Sequence, residues 1–109
     1  MFTRIVECHV KPERKEEFEN KLRNEVIPIL QKQPGFVDLI ALQPEDGGER
    51  QLSISFWNNK QDAERYQREQ YSRIVDSIKP FLKRDPQVQT YTVAHSTAHS
   101  VSASVSKVA

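Results

Sequence analysis

Along this chain the spacing of apolar positions switches between every second residue and every third or fourth, and each switch marks a new element. Two apolar-rich runs, Phe36 to Gln43 and Arg50 to Trp57, flank the segment Pro44-Glu45-Asp46-Gly47-Gly48-Glu49. Pro44 cannot extend a ladder, Asp46 favours a turn, and Gly47 and Gly48 accept positive φ, so the pattern predicts an antiparallel hairpin. In its first strand Val37, Leu39 and Ala41 fall on one face and Phe36, Ile40 and Leu42 on the other, so both faces need cover. In its second strand Leu52, Ile54 and Phe56 share one face, while Ser53, Ser55 and Trp57 share the opposite one. Two small side chains beside one large one either leave a pocket walled by the indole or frame a tryptophan that simply fills the core.

The flanking segments follow the same logic. Phe2 to Val10 reads as a strand, with Arg4, Val6, Cys8 and Val10 on one side and Thr3, Ile5, Glu7 and His9 on the other. From Glu13 to Leu30 the residues Phe18, Leu22, Val26, Ile29 and Leu30 step by three or four, the mark of a helix with one buried stripe. Pro28 removes a donor and crowds the carbonyl of Asn24, which predicts a kink, and Pro34-Gly35 ends the helix. Asn58 and Asn59 are good caps for a second helix running to about Lys79 through Ala63, Tyr66, Ile74 and Ile78, with a break expected near Tyr71-Ser72. Val88 to His95 alternates and is β-branched, a last strand. Ser96 to Ala109 is rich in Ser, Ala and Val, a flexible tail by composition, although Val101, Val105 and Val108 leave room for a packed arm.

The order β-α-β-β-α-β is that of an α+β, ferredoxin-like fold: an antiparallel sheet with two helices on one face, in a domain over residues 1–95 followed by the tail 96–109. The uncovered sheet face then calls for a second copy of the same sheet at a separation of about 10 Å, a homodimer. A chain of 109 residues gains from such a partner, because a domain of this size buries only about 60 to 70% of its unfolded surface. Sixteen basic residues stand against 15 acidic ones, a balance that gives no field for nucleic acid or an anionic membrane. The lone cysteine, Cys8, suits a reducing cytoplasm, and no run is long enough to span a bilayer.

Three features carry a resemblance: Pro34-Gly35-Phe36 after a kinked first helix, Phe56-Trp57 closing the third strand, and the aromatic positions of the helix that follows. In their order and spacing they resemble the dimeric α+β barrel proteins typified by antibiotic biosynthesis monooxygenases, over Phe2 to about Val93. The resemblance implies a dimer with a pocket in each subunit between sheet and helices. It also implies activities ranging from oxygenation of electron-rich phenols without metal or flavin to haem degradation and quinol oxidation. Trp57 matches the family's pocket tryptophan, while Tyr66 and Tyr71 stand where many members have histidines. Tyrosines orient a phenol or quinone better than they act as bases near neutrality. Gln67 stands where the haem-degrading branch supplies its iron ligand, so haem is not expected, and no cofactor is implied.

Outside the resemblance, chemistry-bearing residues are sparse. Glu7 and His9 share a strand face and form either a base with a polar neighbour, if that face is the pocket face, or a half-solvated rim pair. His95 and His99 are four apart but outside any expected helix, so no metal site is expected. There is no Gly-rich phosphate loop, Cys-x-x-Cys or nucleophile elbow. Two functions fit: a small cofactor-independent monooxygenase or quinol-modifying enzyme with a substrate site of Trp57, Tyr66, Tyr71 and Ser55, or a non-catalytic dimeric domain that binds a small aromatic or only pairs.

Overall fold

The computed structural model describes residues 1–101. Four strands, β1 (Phe2–His9), β2 (Phe36–Leu42), β3 (Arg50–Trp57) and β4 (Gln87–Thr92), form one antiparallel sheet in the order β2-β3-β1-β4. Between β1 and β2 lie α1 (Lys15–Lys21), a π-helical turn (Leu22–Val26) and α2 (Ile27–Gln31); between β3 and β4 lie α3 (Lys60–Glu69) and α4 (Tyr71–Ile78). This is the ferredoxin-like arrangement expected from the order of elements. Strand edges move by a few residues from expectation: Val10 leaves β1 and bridges Leu82, and β4 ends at Thr92.

The connections are explained locally. Gly35 has φ +80, and a Cβ there would drive into the side chain of Asp62, so the turn after the first helical segment needs glycine twice over. Its carbonyl accepts from the Asn58 amide at 2.8 Å, tying the start of β2 to the end of β3. Asn59 caps α3 by accepting from the Asp62 amide at 2.9 Å. The predicted break falls at Gln70, whose φ −124 and ψ −29 leave the helical region and separate α3 from α4.

Two local features differ from the sequence pattern. The disturbance caused by Pro28 lies upstream of it: the chain takes a π turn in which the Ile27 amide bonds the Leu22 carbonyl, so the ladder is rerouted just before the proline that cannot donate. In β2 the register shifts between Phe36 and Asp38, a bulge at Val37. The extra residue turns Phe36 away from Ile40 and Leu42 and onto Trp57, against which it packs edge-on at 5.6 Å.

The two sheet faces have different fates. Cross-strand pairs Phe2–Trp57, Arg4–Ser55, Val6–Ser53 and Cys8–Gln51 face the helices. There Cys8, Val10 and Trp57 meet Phe18, Val26 and Leu30 from the first helical segment and Ala63, Tyr66, Ile74 and Ile78 from the second, forming the core. The opposite face carries Ile5, Leu52, Ile54 and Phe56, flanked by Ile40 and Leu42, each 44% exposed. Residues 96–101 reach this face at one end: the His99 Nε2 lies 3.2 Å from Asp38 Oδ2, and its ring meets Phe56 at 5.8 Å. The terminal ammonium of Met1 donates to the Val101 carbonyl at 2.6 Å. The expected tail therefore divides into a docked part and residues 102–109, which lie outside the described residues together with Val105 and Val108. Among the described residues no helix is long and apolar enough to cross a membrane.

Candidate functional site

Between the sheet and the helices lies a partly open cavity with about 50 Å³ open to the centres of water-sized molecules, room for a few waters; a cavity that takes up benzene offers about three times that, so a ring enters only as the side-chain walls give. Its walls come from every layer. Val6, Leu39 and Ala41 rise from the sheet; Phe18, Leu22, Val26 and Leu30 descend from the first helical segment, and Ile74 and Ile78 from α4. Leu22 and Val26 bracket the π turn, so the rerouted helical ladder shapes the roof. The serines of β3 leave the volume open: Ser53 and Ser55 lie on the floor where larger side chains would fill it.

One end of the cavity is polar. Arg4 on β1 is only 3% exposed, and its guanidinium lies over two rings, 4.5 Å from the centroid of Tyr71 and 5.1 Å from that of Tyr66. Arg4 donates to Gln67 Oε1, and among the described residues it has no carboxylate partner. Burial lowers its pKa and the two tyrosines work against that shift, so it remains a cation at neutral pH. Burial pushes Tyr66 up to about 12 and raises Tyr71 as well, each offset in part by the Arg4 charge. The Cys8 thiol, on the same floor, is pushed up to about 11 by burial, with Glu7 adding to the shift. These three groups are neutral near pH 7, and the lining holds no carboxylate or imidazole. The site can orient and polarise a ligand but offers no side-chain base of ordinary strength.

The expected site residues come together in part. Tyr66, Tyr71 and Ser55 line the cavity. Trp57 is fully buried and stands behind them: it stacks on Tyr66 with centroids 5.1 Å apart and planes 29° off parallel, and its indole donates to Ser55 Oγ at 2.9 Å. It holds the wall rather than facing the space. Glu7 and His9 do meet, Nε2 to Oε2 at 3.4 Å, but on the opposite sheet face from the cavity. There Arg50 pairs with Glu7 and holds its carboxyl below the usual range, with His9 adding to the effect, while Arg84 donates to His9 Nδ1 at 3.2 Å.

Arg4 is the site residue that sequence reading passed over. Its signal is present: it alternates with Val6, Cys8 and Val10 and is the one charge on the buried face of β1. It also borders a second, more open cleft with Lys60, Ala63, Glu64, Gln67 and Thr90, so its side chain stands between the interior and the surface along α3.

Three solved structures show the breadth of the likeness. A conserved protein from Methanosarcina mazei Go1 aligns with a TM-score of 0.71 at 22% identity over 84% of this chain and 91% of its own. A variant of SnoaB, a cofactor-independent oxygenase from Streptomyces nogalater, aligns with a TM-score of 0.73 at 17% identity over 90% and 97%. The ActVA-Orf6 monooxygenase of Streptomyces coelicolor, in complex with nanaomycin D, aligns with a TM-score of 0.73 at 15% identity over 91% and 92%. At these identities the likeness is one of fold. Comparison with curated protein sequences gave no significant match. The sequence itself matches the antibiotic biosynthesis monooxygenase family over residues 1–75, and with the fold in agreement the chain belongs to that family.

Proposed function

We propose that the cavity binds a small planar phenol or quinol and exposes it to O2, making the protein a cofactor-independent monooxygenase. The observation that carries this reading is the apolar space between sheet and helices with Arg4, Tyr66 and Tyr71 at one end. Burial raises the two tyrosines beside the guanidinium, and the Arg4 charge offsets only part of that shift, so the phenol this site would ionise is one already acidic in water. For a phenol with hydrogen at the para position, the phenolate passes one electron to O2, and recombination forms a carbon–oxygen bond at that carbon. Loss of water then leaves a para-quinone, with one oxygen atom in the product and the other in the water released with both substrate hydrogens. Tyr66 and Tyr71 contact the ring, Ser55 lines the floor, and Trp57, anchored on Ser55 Oγ, holds Tyr66 in place from behind. Membership of the antibiotic biosynthesis monooxygenase family supports this reading, as does the description of SnoaB as a cofactor-independent oxygenase. The working unit is a homodimer joined through the apolar sheet face.

The test is oxygen uptake by purified protein in air with a panel of phenols and hydroquinones, for the wild type and Tyr66→Phe. Uptake above the uncatalysed rate, reduced in the variant, is the expected result. Binding of these compounds without uptake would favour a non-catalytic small-molecule-binding domain, which the lack of a side-chain base in the cavity also fits.

A further inference from the structure

The cavity has more hydrogen-bond donors than acceptors. Arg4 spends one N–H on Gln67 Oε1, and its five donors meet no carboxylate among the described residues. Among the described residues the buried Gln51 amide nitrogen makes no hydrogen bond, and the Tyr71 hydroxyl has only the Arg4 guanidinium beside it; both residues line the same space. A buried cation without a counterion is costly, and each orphaned donor adds the desolvation it has not recovered. Nothing in packing requires these groups, because methionine or leucine would fill the floor of β1 as Val6 and Cys8 do beside it. The guanidinium and the Gln51 amide nitrogen are donors short of an acceptor, and the guanidinium lacks a negative one.

We propose that the ligand of this cavity binds as an anion, its ionised oxygen on Arg4 and the Tyr71 hydroxyl and a second acceptor toward Gln51. The ligand class is therefore a one-ring aromatic acid or a readily ionised phenol, with an oxygen at its far end. Strand register supports two anchor points: Arg4 lies opposite Ser55 and Cys8 opposite Gln51, so the two donors mark the ends of the floor with the Val6–Ser53 pair between them. The specificity assignment rests on the cavity being the ligand site, as in the function proposed above, but not on turnover.

The experiment is equilibrium binding by calorimetry with matched probes. One pair is p-hydroxybenzoate against its neutral amide; the other is p-nitrophenol, which ionises around neutrality, against phenol. The first tests a carboxylate and the second a phenolate. The charged member of at least one pair should bind the wild type about ten- to hundredfold more tightly, and p-nitrophenol should gain affinity as pH rises through its ionisation. In Arg4→Met the preference for the charged member should vanish, and the melting temperature of the unliganded protein should rise, because an uncompensated charge has been removed. A lower melting temperature with no change in preference would make Arg4 a structural residue and overturn the proposal. Equal affinity within both pairs in the wild type would overturn it whatever the variant does, while leaving the cavity as a neutral aromatic site. No binding by any probe would remove both the anion assignment and the phenol site. Oxygen uptake with neutral phenols alone would remove only the former.

Discussion

Trp57 stacks on Tyr66 and donates to Ser55 Oγ, so one indole fixes both a wall and a floor residue of the cavity without facing it. A role of that kind separates two effects that a lining residue would combine. The ring contributes packing throughout the core, and its N–H satisfies a buried hydroxyl that otherwise reaches only the Arg4 carbonyl at 3.5 Å.

Trp57→Phe is accordingly expected to lower unfolding stability by about 1 to 3 kcal/mol, measured by urea denaturation followed by far-UV circular dichroism. Affinity for a small phenol should fall only as far as Tyr66 loosens, and Tyr66→Phe should weaken it at a smaller cost in stability. An unchanged denaturation midpoint for Trp57→Phe would contradict its position at the centre of the core.

The open sheet face predicts association. Ile5, Leu52, Ile54 and Phe56, with Ile40 and Leu42 half-exposed, form an apolar surface of the kind monomers seldom leave in water. Ile54 sits in its middle, opposite Ile5 on one side and Ile40 on the other. Sedimentation equilibrium should give twice the chain mass for the wild type and the chain mass for Ile54→Lys, with native circular dichroism in both. A dimer that survives the charge would place the interface elsewhere.

The hairpin, the helix stops and the two-faced sheet could be read from the sequence because each depends on a local rule. Gly35 and Gly47 take the positive φ that their turns demand, and Ser53, Ser55 and Trp57 alternate against Leu52, Ile54 and Phe56. The bulge at Val37 could not be read, since a one-residue slip is decided by pairing with β3, and it moved Phe36 to the other face. The proline effect was visible at Pro28, but its form, a π turn one step upstream, depends on how Leu22 and Val26 pack. Arg4 was legible as an exception to an apolar stripe. What made it a site was the arrival of Tyr66 and Tyr71 above it, a contact between residues more than sixty positions apart.

Truncation after His95 tests the docked part of the tail. It removes the half-exposed His99–Asp38 pair, which contributes under about 1 kcal/mol, and the bond from the Met1 ammonium to Val101. The expected result is a small fall in melting temperature with the secondary structure intact. A loss of several kcal/mol would mean that the segment contributes far more than these contacts.

Alkaline pH probes the cavity floor. Burial raises the Cys8 thiol from an ordinary 9.0 to about 11 and the Tyr66 hydroxyl from 10.0 to about 12. Each is an acid whose folded-state pKa exceeds its unfolded value, so above the unfolded pKa the unfolded chain has lost a proton that the native state keeps. Stability is therefore full below the unfolded values and is lost as pH rises through the interval toward the folded ones. For Cys8 alone the shift corresponds to about 2 to 3 kcal/mol, and its onset comes first because its ordinary value is the lower of the two. Urea unfolding at increasing pH should show a plateau near neutrality and a decline beginning around the ordinary thiol value, with a later onset and shallower slope in Cys8→Ala. In parallel, the Cys8 thiol should react with a disulfide reagent only as fast as the protein opens. Stability that stays flat through the ordinary thiol range, or prompt labelling of folded protein, would mean that water already reaches the floor beside Arg4 and that the site is wetter than its lining implies.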